Sequence, residues 1–249
     1  FGGGAVDFIL KPAKIEELDM RIRKALTASC FNKSGFSCGF PEATIWEQNQ
    51  ELRDTQLEII CKLTKVAEYK DVETSQHIVR MAHYSALLAR EAGMEPLFCW
   101  LILNAAPMHD IGKVGIPDNI LLKPDKLSPN EWKVMVTHSF IGSKILTGSK
   151  SELIRMGEAI ALSHHEKWNG SGYPGKLKGE EIPVVGRIIA LADVFDALTS
   201  TRPYKKAWST QESFAFIESE SGSHFDPRLV EAFFRIREKI LEVKENFQG

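Results

Sequence analysis

From Ile45 to the end of the chain, apolar residues recur every three or four positions, and no run alternates over the length of a strand. That period belongs to helices that bury one face, so it predicts an all-α fold. The stretches with helical spacing are Ile78–Ala92, Pro96–Met108, Pro129–Leu146, Ser151–Ser163, Val185–Thr199, Thr210–Glu220 and Pro227–Val243. Several carry start signals: Ser128 and Pro129 precede Glu131, Thr210 precedes Glu212, and Asp226 precedes Pro227. One long Gly-rich loop, His165–Pro183, has no such spacing.

The start of the chain reads differently. Ala5–Leu10 is a short apolar run behind three glycines, Lys11-Pro12 follows, and Ile15, Leu18, Ile22, Ala25 and Leu26 share one helical face. A strand, a turn and a helix of this size bury too little to fold alone, so the piece is expected to close a domain or to pack on one. Ala28–Pro41, rich in Ser, Gly, Phe and Cys, reads as a linker. Ile45–Val72 then predicts one long connecting helix, whose apolar stripe fits either the downstream domain or a second copy of the chain, a possible homodimer. The expected division is 1–27, 28–72 and 73–249.

The 43% hydrophobic and 26% charged residues are an ordinary globular mix, and the net charge of -2 gives no basic field for a nucleic-acid polymer. No apolar stretch is long enough to span a bilayer, Phe1–Leu10 lacks the pattern of a secretion signal, and the four cysteines form no C-x-x-C pair. These features predict a cytoplasmic protein with reduced thiols and no membrane partner.

The histidines carry the chemistry. Glu73 and His77 are four apart, so a helix puts them on one face. His109-Asp110 follows an apolar lead, with Lys113 three residues on; His138 is expected in the middle of a helix; His164-His165 closes another. Asp193 interrupts the apolar run Ile188–Leu198, where an unpaired carboxylate would be costly, and Asp196 lies almost one turn later. Imidazoles and carboxylates scattered over several helices suit iron, manganese, nickel or zinc.

Three segments, "HDIGKVGIPD", "HHEKWNGSGYPGKLKGEEIP" and "RIIALADVFDALTSTRPYKKAW", resemble the signatures of the HD-GYP family, a branch of the HD metal phosphohydrolases. The resemblance runs from about Glu73 to Arg237. It implies an HD-type helical bundle and a phosphodiesterase that hydrolyses cyclic di-GMP to linear pGpG or GMP, with a nucleophile that two or three divalent metals, iron or manganese above all, generate from water. By position, it implies that His77, His109, Asp110 and Asp193 hold one metal. His138, His164 and His165 hold a second, bridged by Asp110, and Glu73 is the extra carboxylate of three-metal members. It gives Lys113 a catalytic role beside the phosphate, and makes Tyr173, Arg202, Lys205 and Asp196 substrate contacts. Asn169 stands where the family often has Asp, and Met108 where a smaller residue is common; neither is a ligand position. "GGGAVDFILKPAKIEELDMRIRKAL" resembles the last strand and helix of a response-regulator receiver domain, which implies an upstream kinase. A non-hydrolysing cyclic dinucleotide receptor or a protein-docking module is the alternative; the filled ligand positions disfavour it.

Overall fold

The structure, a computed structural model, describes residues 41–68, 70, 75–201 and 206–247. The βα piece expected at 1–27 and most of the linker after it lie outside these residues. The chain divides into two compact units at Leu57/Glu58. Of the first, only the start of helix α1 (Pro41–Glu68) is described. Within the second unit, the last turns of α1 bury Thr64 and Ala67 and leave Ile59, Leu63 and Val66 exposed.

All regular elements among the described residues are helical, as the periodicity requires. The second unit is built around α8 (Val184–Thr199), which buries residues on every side, including Ile188, Ile189, Leu191, Phe195 and Leu198. A helix apolar all round belongs inside a bundle. Against it pack α2 (Ser75–Glu91), α7 (Glu152–Ser163), α9 (Thr210–Ser219) and α10 (Pro227–Arg235). Phe195 lies edge-on to Tyr84 of α2 at 5.6 Å between centroids, and meets Phe214 of α9 at 5.0 Å and Phe233 of α10 at 5.2 Å. This aromatic cluster forms one end of the core.

Three expected helices are interrupted, two of them for a local reason that the structure shows. Pro96–Met108 stays α-helical only over α3 (Pro96–Ala105) and tightens into a 3-10 segment, Ala106–Gly115. Pro107 has no N–H for an α-helical bond, although Ala106 before it keeps helical backbone angles. Pro129–Leu146 splits into α5 (Pro129–Met135) and α6 (His138–Leu146), past the four-residue α4 (Asp118–Leu121). There Thr137 Oγ1 donates to Val134 O at 2.6 Å and His138 Nδ1 to Met135 O at 2.8 Å, so side chains take carbonyls of the last turn. Pro227–Val243 breaks at Ile236 into α10 and α11 (Arg237–Asn246). Ser128 caps α5 as expected, in a capping box with Glu131, and α9 opens at Thr210 as expected, with Ser209 as its cap.

The 3-10 segment crosses α6 at Gly112, where an added Cβ would meet the backbone of His138 and Gly142. Backbone cannot step aside as a side chain can, so Gly112→Ala is expected to cost at least about 2–3 kcal/mol. A urea titration of the two proteins checks this.

Candidate metal centre

The break in the helix at His138 and the 3-10 turn at His109 bring the ligand-type residues together. Among the described residues, two groups have donor atoms within 4.8 Å of one another: Asp110, His138, His164 and His165, and His77, His109 and Asp193. Asp110 stands between them. Its Oδ2 is 3.1 Å from His109 Nε2, and its Oδ1 is 3.2 Å from His138 Nε2 and 3.6 Å from His164 Nε2. Lys113 Nζ reaches Asp110 Oδ2 at 2.8 Å, and His77 Nε2 is 3.5 Å from Asp193 Oδ1.

The imidazoles are held from behind. His109 Nδ1 lies 3.1 Å from Ala106 O, His138 Nδ1 2.8 Å from Met135 O, and His164 Nδ1 3.1 Å from Ile160 O. A carbonyl only accepts, so each Nδ1 carries the proton and each Nε2 a lone pair. His77 Nδ1 faces the Asp196 carboxylate at 2.8 Å, with the same consequence. Three imidazole lone pairs therefore point at a carboxylate that has none of its own protons to offer. Asp110 Oδ1 and His164 Nε2 are buried and make no hydrogen bond. Acceptors gathered against acceptors are unfavourable unless a cation lies among them, and this donor set fits a divalent ion.

The electrostatics agree. Burial raises the Asp110 carboxyl, but the Lys113 ammonium is the largest opposing influence, and the group is held well below the usual carboxylate range. Burial pushes His164 down, and burial with the neighbouring His164 pushes His165 down further. Both rings stay neutral and keep a lone pair for coordination.

Residues 61–229 match the model of the HD domain family. The chain belongs to the HD domain family, in its HD-GYP branch. It is 43% identical over 248 residues to a cyclic di-GMP phosphodiesterase of Thermotoga maritima, covering 96% of this chain and 67% of that protein. It is 40% identical over 245 residues to the cyclic di-GMP phosphodiesterase response regulator RpfG of Xanthomonas campestris, covering 98% and 65%. The chain thus spans about two thirds of the length of these relatives. A solved cyclic GMP-AMP specific phosphodiesterase of Vibrio cholerae shares the fold at a TM-score of 0.57 and 21% identity, over 78% of this chain and 51% of that one.

In this HD domain, Asp196 is not where a substrate contact would be. It is fully buried and bound twice by Arg80, Nε to Oδ1 at 2.6 Å and Nη2 to Oδ2 at 2.8 Å. Ser200 Oγ adds a bond to Oδ2 at 3.1 Å, and Arg80 Nη1 reaches Phe247 O at 2.9 Å. Buried one turn beyond Asp193, Asp196 orients His77 and is a positioning residue. His138, expected in mid-helix, opens α6, which lets its ring turn back toward Asp110. Glu73, Arg202 and Lys205 lie outside the described residues. Arg80, Ser200 and Glu166 were not foreseen. Arg80 follows His77 by three positions, and a charge on the face of a ligand helix was the available signal.

Tyr173 packs on the ligand rings, 4.7 Å from His165 and 6.2 Å from His138 between centroids. Burial raises its phenol, so it is a neutral donor. Its loop curls around Glu166, which is buried and accepts from Gly175 N at 2.6 Å and Leu177 N at 3.0 Å. Farther along, Trp168 N donates to His224 O at 3.0 Å, and Asn169 N to Ser223 O at 2.9 Å. Burial, with the Lys167 charge adding to it, lowers His224 from 6.5 to about 4. The fold therefore favours the neutral ring. That contribution is fully present above pH 6.5 and is lost as pH falls toward 4, because the unfolded chain takes up the proton first. The expected loss is about 2 kcal/mol after allowing for partial exposure. Denaturant midpoints across this interval are expected to flatten in His224→Phe, which keeps the stack on Phe225 and removes the titration.

Proposed function

We propose that this domain hydrolyses cyclic di-GMP to linear pGpG or, after a second cut, GMP. The observation that carries the reading is the set of three imidazole lone pairs converging on the partly buried Asp110 carboxylate. The names of the relatives at 43% and 40% identity support the substrate.

On this reading His77, His109 and Asp193 hold one divalent ion, His138, His164 and His165 hold another, and Asp110 serves both. Glu73 offers a carboxylate for a third. Iron or manganese suits these donors best, with nickel or zinc also accepted. Bound there, the ions neutralise phosphoryl oxygens and bring the pKa of water near neutrality. The chain's own groups do the rest. Asp110, held ionised, keeps the two ligand groups in register. Lys113, beside it, stabilises charge developing on the phosphate or gives a proton to the leaving oxygen. Tyr173 donates a hydrogen bond from its neutral phenol. Arg202 offers a planar fork and Lys205 a point charge for phosphate or guanine.

Incubation of metal-loaded protein with cyclic di-GMP and, in parallel, 3'3'-cGAMP, followed by ion-pair chromatography, tests the reading. It expects pGpG or GMP from cyclic di-GMP. Tight binding without product would establish a receptor instead.

We further read 1–27 as the end of a receiver domain, 28–72 as linker and connecting helix, and 73–249 as the HD-GYP domain. A kinase acting on the receiver and a cytoplasmic location fit that division. No helix among the described residues is long and apolar enough to cross a membrane. Ile59, Leu63 and Val66, exposed by 53%, 56% and 62%, form the face through which α1 would pair with a second copy. Light scattering is expected to find a dimer that Ile59→Glu/Leu63→Glu converts to monomer; a monomeric wild type would contradict the pairing.

A further inference from the structure

We propose that Trp132 is the stacking platform for a purine base of the substrate. The inference rests on the phosphodiesterase reading above and names a residue that would hold a base of the substrate by its face.

Trp132 lies on α5, a seven-residue helix with no buried side chain. No side chain of this helix is sunk in the core, so its polar anchors matter the more. Its amino end is fixed by the capping box of Ser128 and Glu131, and Lys123 Nζ grips both Glu131 oxygens at 2.8 and 2.7 Å. Its carboxyl end is fixed where Met135 O receives His138 Nδ1 at 2.8 Å. The element is thus pinned at both ends by polar bonds, one of them to a metal-ligand histidine. What it presents is an indole left 50% exposed.

A large aromatic surface held in water contributes little to folding, and its place here is specific. Trp132 meets Tyr173 edge-on, with centroids 6.0 Å apart, and Tyr173 in turn lies 4.7 Å from His165. The order outward from the ligand cluster is imidazole, phenol, indole. A phosphate over the cluster would carry its nucleoside outward along that row. There Tyr173 meets the indole at a right angle, and half of the indole surface stays open to solvent. A purine face matches such a surface, and stacking tolerates either guanine or adenine. Discrimination between them then falls to polar groups elsewhere.

The test uses metal-loaded protein and calorimetric titration with two probes, GMP and ribose 5-phosphate. Trp132→Ala is expected to weaken GMP about tenfold or more, the scale of one base–aromatic stack. Trp132→Phe is expected to recover most of that affinity, and ribose 5-phosphate to bind all three proteins alike. With cyclic di-GMP as substrate, the alanine variant is expected to raise KM and leave kcat within about threefold. Unchanged GMP affinity in Trp132→Ala, equal weakening of ribose 5-phosphate, or a wild type that binds GMP no better than ribose 5-phosphate would each overturn the platform. If wild type turns over cyclic di-GMP while GMP affinity ignores Trp132, the platform falls and the enzyme reading stands. If no cyclic dinucleotide is cut yet GMP affinity depends on Trp132, the platform stands and the enzyme reading falls.

Discussion

Asp110→Ala is expected to lower kcat for cyclic di-GMP at least about a thousandfold, the scale of several kcal/mol of lost charge stabilisation at about 1.4 kcal/mol per tenfold. Among the described residues, Asp110 is the one carboxylate that faces both ligand groups, with Oδ2 3.1 Å from His109 and Oδ1 3.2 Å from His138. Its loss removes a donor from each. Metal content, read by mass spectrometry, should fall with the rate. The metal-free fold should change less than the rate. Removing Asp110 relieves a carboxylate pressed against imidazole lone pairs but takes a counter-charge from Lys113, 2.8 Å away, and the two effects oppose each other. A variant that melts with the wild type and retains more than about a tenth of kcat would contradict the role given to Asp110.

Asp196→Ala is expected to do the reverse: a large loss of stability with a smaller effect on the metals. Arg80 is only 6% exposed, and Asp196 provides its buried counter-charge. Removing one partner of a buried pair leaves an uncompensated ion and costs about 3–5 kcal/mol. His77 loses its acceptor at the same time, which should weaken metal binding about 10–100-fold. Chemical denaturation and metal titration measure the two effects separately. The double change Arg80→Met/Asp196→Leu should recover most of the stability, since apolar packing replaces a buried pair well, without restoring metal affinity. Recovery of both would mean that Asp196 acts on His77 only through general packing.

The helical fold was legible because burial imposes a period on the sequence, and that period marks α7 and α8 to within one residue and α2 to within three. The interruptions were less so. A Pro at 107 was visible, yet its outcome, a 3-10 turn that swings His109 and Asp110 together, depends on the packing of Gly112 against the His138 backbone. The break before His138 arises from side chains of Thr137 and His138 competing for carbonyls, a choice that spacing does not record. Of the site, the metal-type residues were legible as chemistry that is too costly to bury alone. Asp196 was misassigned because a carboxylate near a ligand reads the same whether it faces substrate or the back of a histidine. The difference is set by Arg80, a partner that is distant in sequence and adjacent only in the fold. Glu166 was hidden for a similar reason: it sits within a recognisable segment, but its task, receiving the Gly175 and Leu177 amides, belongs to the loop's conformation.

Anomalous diffraction from crystals of manganese-loaded protein tests the two-group metal centre most directly. Two peaks are expected, one among His77, His109 and Asp193 and one among His138, His164 and His165, with Asp110 reaching both. A single peak, or two peaks neither of which lies within bonding distance of Asp110, would contradict it.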